Sequence, residues 1–271
     1  MSFEIVSLRD GLFTLRDLAT RETFHPGIGP IAEAEAVHLT SQKLGERIKA
    51  DNDFIIWDVG LGAAANAIAA LNFLVALKSP GRCELHSFER SLEPLEFGLA
   101  NLDTLTYLKP WATVVRKLKS TGQVAINDRL SWRLHLDDFQ ALHRNVAPTP
   151  DAVMYDPYSP SSNPEMWSLD HFTALRRIMV KPATLSSYSR STAVRVTLLL
   201  SGFYVGIGAA TGEKEETTVA ATSAALLDRP LNRDWLQKRV RASTNARPLP
   251  AARGPISSED YEKLQAHPQF S

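Results

Sequence analysis

The chain has 271 residues, 44% of them hydrophobic and 22% charged, with 30 cationic and 30 anionic side chains, zero formal net charge and a pI near 7.1. That is enough chain for one large α/β domain with additions, or two small ones, and an ordinary composition for a soluble globular protein. With no apolar run of eighteen residues, one cysteine and no excess of positive charge, it excludes a transmembrane helix, a disulfide scaffold, a thiolate zinc site and nonspecific nucleic-acid binding by the whole surface, though not by a local basic patch.

The first residues, M-S-F-E-I-V-S-L-R-D, lack a basic segment followed by an apolar core, so no signal peptide is expected. A lone Cys83 in an apolar run reads as a small core residue in a reducing compartment, and a cytoplasmic location follows. Alternating apolar positions over 3–16, then a turn at 20–23, predict a small N-terminal hairpin. His25-Pro26-Gly27-Ile28-Gly29-Pro30 is a rigid loop. His25 could reach a nearby pocket, although a histidine in such a loop more often serves the backbone. A helix is expected over 31–49, with Ala34, Val37, Leu44 and Ile48 near one face.

Residues 54–59 are apolar except for Asp58 and read as a central strand buried on both faces. Gly60-Leu61-Gly62 follows, then a helix over 63–77. A second strand over 83–88 ends in Glu89, and 91–102 reads as a helix. Strand, glycine turn, helix, strand and acid together describe a nucleotide-binding βαβ unit. Residues 103–130 give no clear pattern beyond a basic helical stretch near 114–118. A strand over 132–136 ends in Asp137-Asp138, and a helix over 139–145 is expected next.

The stretch 151–167 is the most informative. The run Ala152-Val153-Met154-Tyr155 stops at Asp156-Pro157, since proline cannot continue a sheet ladder. Three prolines in eight positions stiffen the loop, and Asn163 is placed to cap a helix beginning with Pro164 and Glu165. Asp156 thus stands at a strand's C-terminal end, the edge at which open α/β sheets bind ligands. A strand over 183–188, a helix over 191–200 and two strands, 202–208 and 217–221, complete the pattern. About five β-α units followed by a hairpin predict a mostly parallel seven-stranded sheet with a C-terminal antiparallel hairpin. From Leu231 onward the chain is proline-bearing and basic and reads as a poorly packed arm with a short helix near Trp235. The division expected is an extension over 1–30, a main domain over 31–225 and a tail over 226–271.

Two ligands compete for the glycine turn. A dinucleotide site wants G-x-G-x-x-G/A with an acid about 20 residues later. Ala65 fills the third place, but Glu89 falls late. A site for S-adenosyl-L-methionine asks less: a glycine turn beside the amino-acid part and an acid for both ribose hydroxyls, for which Glu89 is suited as a double acceptor. Asp137 and Asp138 could meet an adenine amino group. The combination of Glu89, Asp138, Asp156 and the hairpin favours a methyltransferase. A dehydrogenase is the weaker reading, since no hydride-transfer pair stands out.

The segment Asp156 to Trp167 resembles the D-x-F-x-P-x-x-N-P-x-x-W segment of the MnmC-type tRNA methyltransferase family. Gly60-Leu61-Gly62-Ala63-Ala64-Ala65-Asn66 is similar to that family's G-x-G-x-G-x-N turn, with Ala64 in place of the third glycine. Ser186–Ser189, Val194-Arg195, Gly202-Phe203 and Gly212–Glu216 match its later motifs, so the resemblance covers roughly 10–222. It implies a class I (Rossmann-like) fold, S-adenosyl-L-methionine as methyl donor, and tRNA as partner through the aminomethyl group of a modified wobble uridine. It implies that Gly60, Gly62 and Asn66 line the donor, that Glu89 binds its ribose, that Asp138 lies near its adenine, and that Asp156 meets donor and substrate amine as the catalytic acid–base group. Tyr158, Ser189 and Lys214 are expected on the substrate side. No metal is implied, and there is no room for the flavin-dependent domain fused in some members, so a stand-alone methyltransferase is expected. Another acceptor, or donor binding without turnover, stays open.

Overall fold

A computed structural model describes residues 2–48, 52–77, 81–142, 148–212 and 215–271. Its centre is an eight-stranded sheet. Five strands are parallel: β3 (Phe54–Val59), β4 (Cys83–Glu89), β6 (Leu130–Leu136), β7 (Ala152–Tyr155) and β8 (Thr184–Ser187). β9 (Tyr204–Gly208) and β10 (Thr217–Ala221) form the antiparallel hairpin, with β10 against β8. With β5 (Gln123–Asn127) at one edge, the order is β5-β6-β4-β3-β7-β8-β10-β9. A separate hairpin joins β1 (Phe3–Ser7) to β2 (Phe13–Asp17).

The sheet separates two cores. Along β3 the pleat sends Phe54 and Ile56 into one and Ile55, Trp57 and Val59 into the other. The first core is closed by helices over Ala65–Ala76, Glu93–Ala100 and Ala112–Thr121 together with Phe3 and Leu15 of the hairpin. The second is closed by helices over Leu169–Ile178 and Thr192–Leu200, which contribute Phe172, Leu175, Val194 and Leu198 to the core that also holds the fully buried Trp167. Burial on both faces is why β3 reads as a continuous apolar run.

Four expectations need correction. The eighth strand, β5 (Gln123–Asn127), lies antiparallel to β6 at the sheet edge. Of its five residues Val124 is the one that is buried, so it carries too little apolar pattern to be read as a strand. The single helix expected over 31–49 is broken: a turn over Pro30–Ala34, a π-helical stretch over Glu35–Thr40, Lys43 at φ 54°, then a turn over Leu44–Arg47. The break carries a buried polar network. His38 Nδ1 is hydrogen-bonded to Ser186 Oγ at 2.8 Å, Gln42 Nε2 donates to Ser186 Oγ at 2.6 Å, and Thr184 Oγ1 donates to Gln42 Oε1 at 2.6 Å. Burial depresses the His38 imidazole to about 3, which keeps it neutral there. The expected helices also reached Lys49 and Asn145, which lie outside the described residues.

Asn163 does not cap a helix with its side chain. The Pro164–Trp167 turn is 3₁₀, and the longer helix begins after Ser168, which accepts from His171 N at 3.2 Å. Ser168→Ala should therefore cost about 1 kcal/mol and lower the thermal midpoint by about 2–4 °C, measurable by circular dichroism. Asn163→Ala should lack that cap penalty.

The C-terminal segment is not a poorly packed arm. Leu231, Leu236, Val240, Ala246, Leu264 and Phe270 are buried in the second core. Gln269 donates to the carbonyls of Val205 and Leu231 at 2.8 and 2.7 Å and accepts from Val205 N at 2.7 Å, which satisfies the outer edge of β9. Among the described residues no helix is long and apolar enough to cross a membrane.

Candidate functional site

The C-terminal ends of β3, β4, β6 and β7 lie side by side and open into a cavity of about 610 Å³. The β1–β2 hairpin and the loop after β7 roof it. Gly60 has φ +91°, and a Cβ there would lie 2.6 Å from the Asp156 carbonyl oxygen. The turn after β3 therefore lies flat against the end of β7, as only a residue without a side chain permits. Gly62, at φ +51°, donates its N–H to Glu89 Oε2 at 2.9 Å. Arg90 N and Ser91 N donate to Glu89 Oε1 at 2.7 and 3.1 Å. Three backbone donors thus lock the Glu89 carboxylate at the mouth of the glycine turn.

Asp156 continues the β7 ladder by donating its N–H to Val59 O at 2.9 Å. Its Oδ2 accepts from Asn66 Nδ2 at 2.7 Å and lies 3.8 Å from His25 Nε2. Asn66 stands on the first turn of the Ala65–Ala76 helix, so the glycine turn and the strand-end acid are tied by one hydrogen bond. Asp138 lies on the cavity wall, with Oδ1 accepting from Gln140 N at 2.8 Å and Oδ2 3.9 Å from Arg90 NH1. Gly60, Gly62, Glu89, Asp138 and Asp156 all line the one cavity.

The substrate-side candidates are scattered. Tyr158 lines the cavity, but its hydroxyl donates to Asp17 Oδ2 at 2.7 Å and its ring packs edge-on against Phe24, centroids 5.7 Å apart. The ring is a wall held by the hairpin, not an open platform. Ser189 does not line the cavity: its Oγ accepts from Ser191 N at 3.3 Å and its carbonyl from Thr218 Oγ1 at 2.6 Å. Lys214 lies outside the described residues. Trp167 is core, with Nε1 donating to Tyr158 O at 2.8 Å. Ala64 takes φ +63°, is fully buried and is not among the lining residues, so its methyl group faces the protein.

Other groups at the site escape sequence reasoning. Glu33, buried on the first helical turn, accepts from Gly27 N at 3.1 Å and lines the cavity near His25. Glu22 accepts from Ser159 N and Ser159 Oγ at 3.0 and 2.6 Å, pinning the roof loop. Isolated acids in a hairpin carry no sequence signal. In all, nine carboxylate side chains line the cavity against one guanidinium, that of Arg90, among the described residues. No cluster of three or more His, Cys, Asp or Glu among the described residues could hold a metal.

Beneath the floor, Asp58 is fully buried. Its Oδ2 accepts from Ser87 Oγ at 2.7 Å, which in turn accepts from Trp132 Nε1 at 2.9 Å, while Oδ1 has no partner. Burial pushes its carboxyl from 3.8 up to about 8, against the Ser87 bond and with the charges of Asp156 and Glu89 adding to the rise. Between those two values the folded chain holds a proton that the unfolded chain has lost, so stability falls as pH rises through that window. Asp58→Asn should remove that decline. Denaturant midpoints at pH 5 and pH 8 check it: the variant should gain on the parent at pH 8.

A doubly wound sheet in this order, closed by an antiparallel hairpin and carrying a glycine turn and strand-end acids at one edge, defines a class I methyltransferase that uses S-adenosyl-L-methionine. Residues 106–223 match the profile of an S-adenosyl-L-methionine-dependent methyltransferase family. The chain is related to the MnmC-type methyltransferases. It is 27% identical over 208 residues to the tRNA 5-methylaminomethyl-2-thiouridine biosynthesis bifunctional protein MnmC of Methylibium petroleiphilum, covering 73% of this chain and 31% of that protein. To the same protein of Ralstonia nicotianae it is 29% identical, covering 74% and 32%. The crystal structure of MNMC2 from Aquifex aeolicus superposes with a TM-score of 0.74 at 28% identity, covering 98% of this chain and 83% of that one. The chain matches about a third of the length of these curated relatives.

The cavity fits the donor. Glu89 is presented by three amides beside the glycine turn, and Asn163 Oδ1 at the wall is a buried acceptor without a partner. Nine carboxylates make the cavity a good host for a sulfonium cation.

Proposed function

We propose that the chain N-methylates the 5-aminomethyl group of a modified wobble uridine in tRNA. The observation that carries this is Asp156: a carboxylate at the strand end, oriented by Asn66 and set beside His25 in an anionic cavity next to the glycine turn. An aminomethyl group is an ammonium at neutral pH. Carboxylates attract it and orient its nitrogen, and one of them must take a proton before the nitrogen can attack. Asp156 does both in this reading. Bound S-adenosyl-L-methionine supplies the electrophilic methyl group. Glu89 holds the ribose hydroxyls, Gly60 and Gly62 let the backbone approach the amino-acid part, Asn66 fixes Asp156 against it, and Asp138 meets the adenine edge. Tyr158 and Phe24 exclude water. The pathway for which the relatives are named, tRNA 5-methylaminomethyl-2-thiouridine biosynthesis, supports the acceptor.

In this reading the 31–225 segment carries the reaction, residues 1–30 roof the cavity and 226–271 brace the sheet edge. The location is the cytoplasm, where tRNA is modified. The test is labelled methyl transfer to tRNA carrying unmethylated 5-aminomethyl-2-thiouridine. Label should enter that tRNA and not tRNA lacking the aminomethyl group. Donor binding with no transfer to either would move the acceptor to another amine.

A further inference from the structure

We propose that the outer face of residues 229–253, with Arg190, is a docking surface for RNA phosphates; this rests on the tRNA reading above. The chain is neutral as a whole, yet 229–253 holds seven arginine and lysine residues against one carboxylate, Asp234. All seven are exposed. They are also fixed in space, because Leu231, Leu236, Val240 and Ala246 between them are buried in the second core. Lys238 is paired with Asp234 at 2.8 Å, whereas Arg233, Arg239, Arg247 and Arg253 make no ion pair with a carboxylate among the described residues.

The position of this face suits the site. Arg190 follows Ser189 just beyond the C-terminal end of β8, on the same sheet edge as Asp156 beyond β7. Arg195, buried with NH1 on Glu216 at 2.9 Å, is repelled by both Arg190 and Arg239, which brings the tail up to that edge. The cavity has the opposite sign, with nine carboxylates facing one guanidinium. A polyanion is repelled by such a mouth, while a cationic side chain on one base is drawn in. The two demands are met together only if phosphates have a cationic platform beside the mouth. Each phosphate neutralised releases condensed counterions, so binding through this face must weaken as salt rises.

The experiment uses the whole chain, a fluorescent stem-loop RNA and anisotropy titrations over a series of salt concentrations. The comparison is the triple variant Arg233→Gln, Arg239→Gln, Arg253→Gln, with S-adenosylhomocysteine affinity and circular dichroism confirming that the variant folds. The expected result is a loss of about tenfold or more at low salt, a log–log salt slope shallower by about 2–3, and unchanged S-adenosylhomocysteine affinity. RNA binding with native affinity and native slope in a folded variant overturns the assignment and leaves the tRNA reading standing. A native chain that binds no RNA at any salt overturns both.

Discussion

Asp156→Asn is expected to lower methyl transfer by about 10²- to 10⁴-fold while S-adenosylhomocysteine binds nearly as before. The amide oxygen of asparagine can still accept from Asn66 Nδ2, so the tie that spans 2.7 Å between the glycine-turn helix and the end of β7 survives. What is lost is the negative charge that attracts an ammonium and the base that relieves it of a proton. The deficit should shrink as the pH is raised, because an amine that deprotonates in solution no longer needs the carboxylate. Turnover equal to the native chain across that pH range would remove Asp156 from the reaction.

Gly60→Ala is expected to cost stability and turnover together. An alanine at φ +91° carries about 1–3 kcal/mol of backbone strain. Its methyl carbon would also stand 2.6 Å from the Asp156 carbonyl oxygen and 3.0 Å from the carbonyl carbon. Those are backbone atoms that cannot rotate away, and forcing them apart adds about 1–3 kcal/mol. The thermal midpoint should drop on the order of 10 °C, and Asp156 should be displaced from its place beside the donor. Gly122→Ala is the control: it has φ +73° with nothing within 4 Å of the added carbon, so it pays the strain alone. Equal destabilisation of the two variants would mean that β3 and β7 do not make this close approach.

The central strands were legible because burial on both faces writes itself as unbroken apolar runs. Glu89, Asp138 and Asp156 could be placed at one sheet edge because each follows a strand-like run, Asp156 directly before Pro157. Asn66 was found through a motif, and the structure gives it a partner, Asp156, 90 residues away. What could not be read depends on contacts between distant segments. Glu22 and Asp17 become cavity residues only because the hairpin folds over the loop after β7. Glu33 and His38 lie in a stretch that looks like one amphipathic helix until Gln42 and Ser186 break it. The tail misled because its buried residues are spaced among prolines and arginines, so no period marks Leu236 and Val240 as core. Tyr158 reads equally well as a stacking platform or a wall, and the Asp17 carboxylate decides between them.

The roof also sets an order of assembly. A ribosome makes Asp17 141 residues before Tyr158, the group it finally holds. A two-stranded hairpin by itself is at best marginally stable, so β1 and β2 emerge with nothing to rest on until the first core, which Phe3 and Leu15 close, has been made, and they meet the roof loop only after the end of β7. Residues 3–17 are thus made well before they are fully fixed. A bulky fusion at the N-terminus should therefore leave the sheet intact and spoil the pocket.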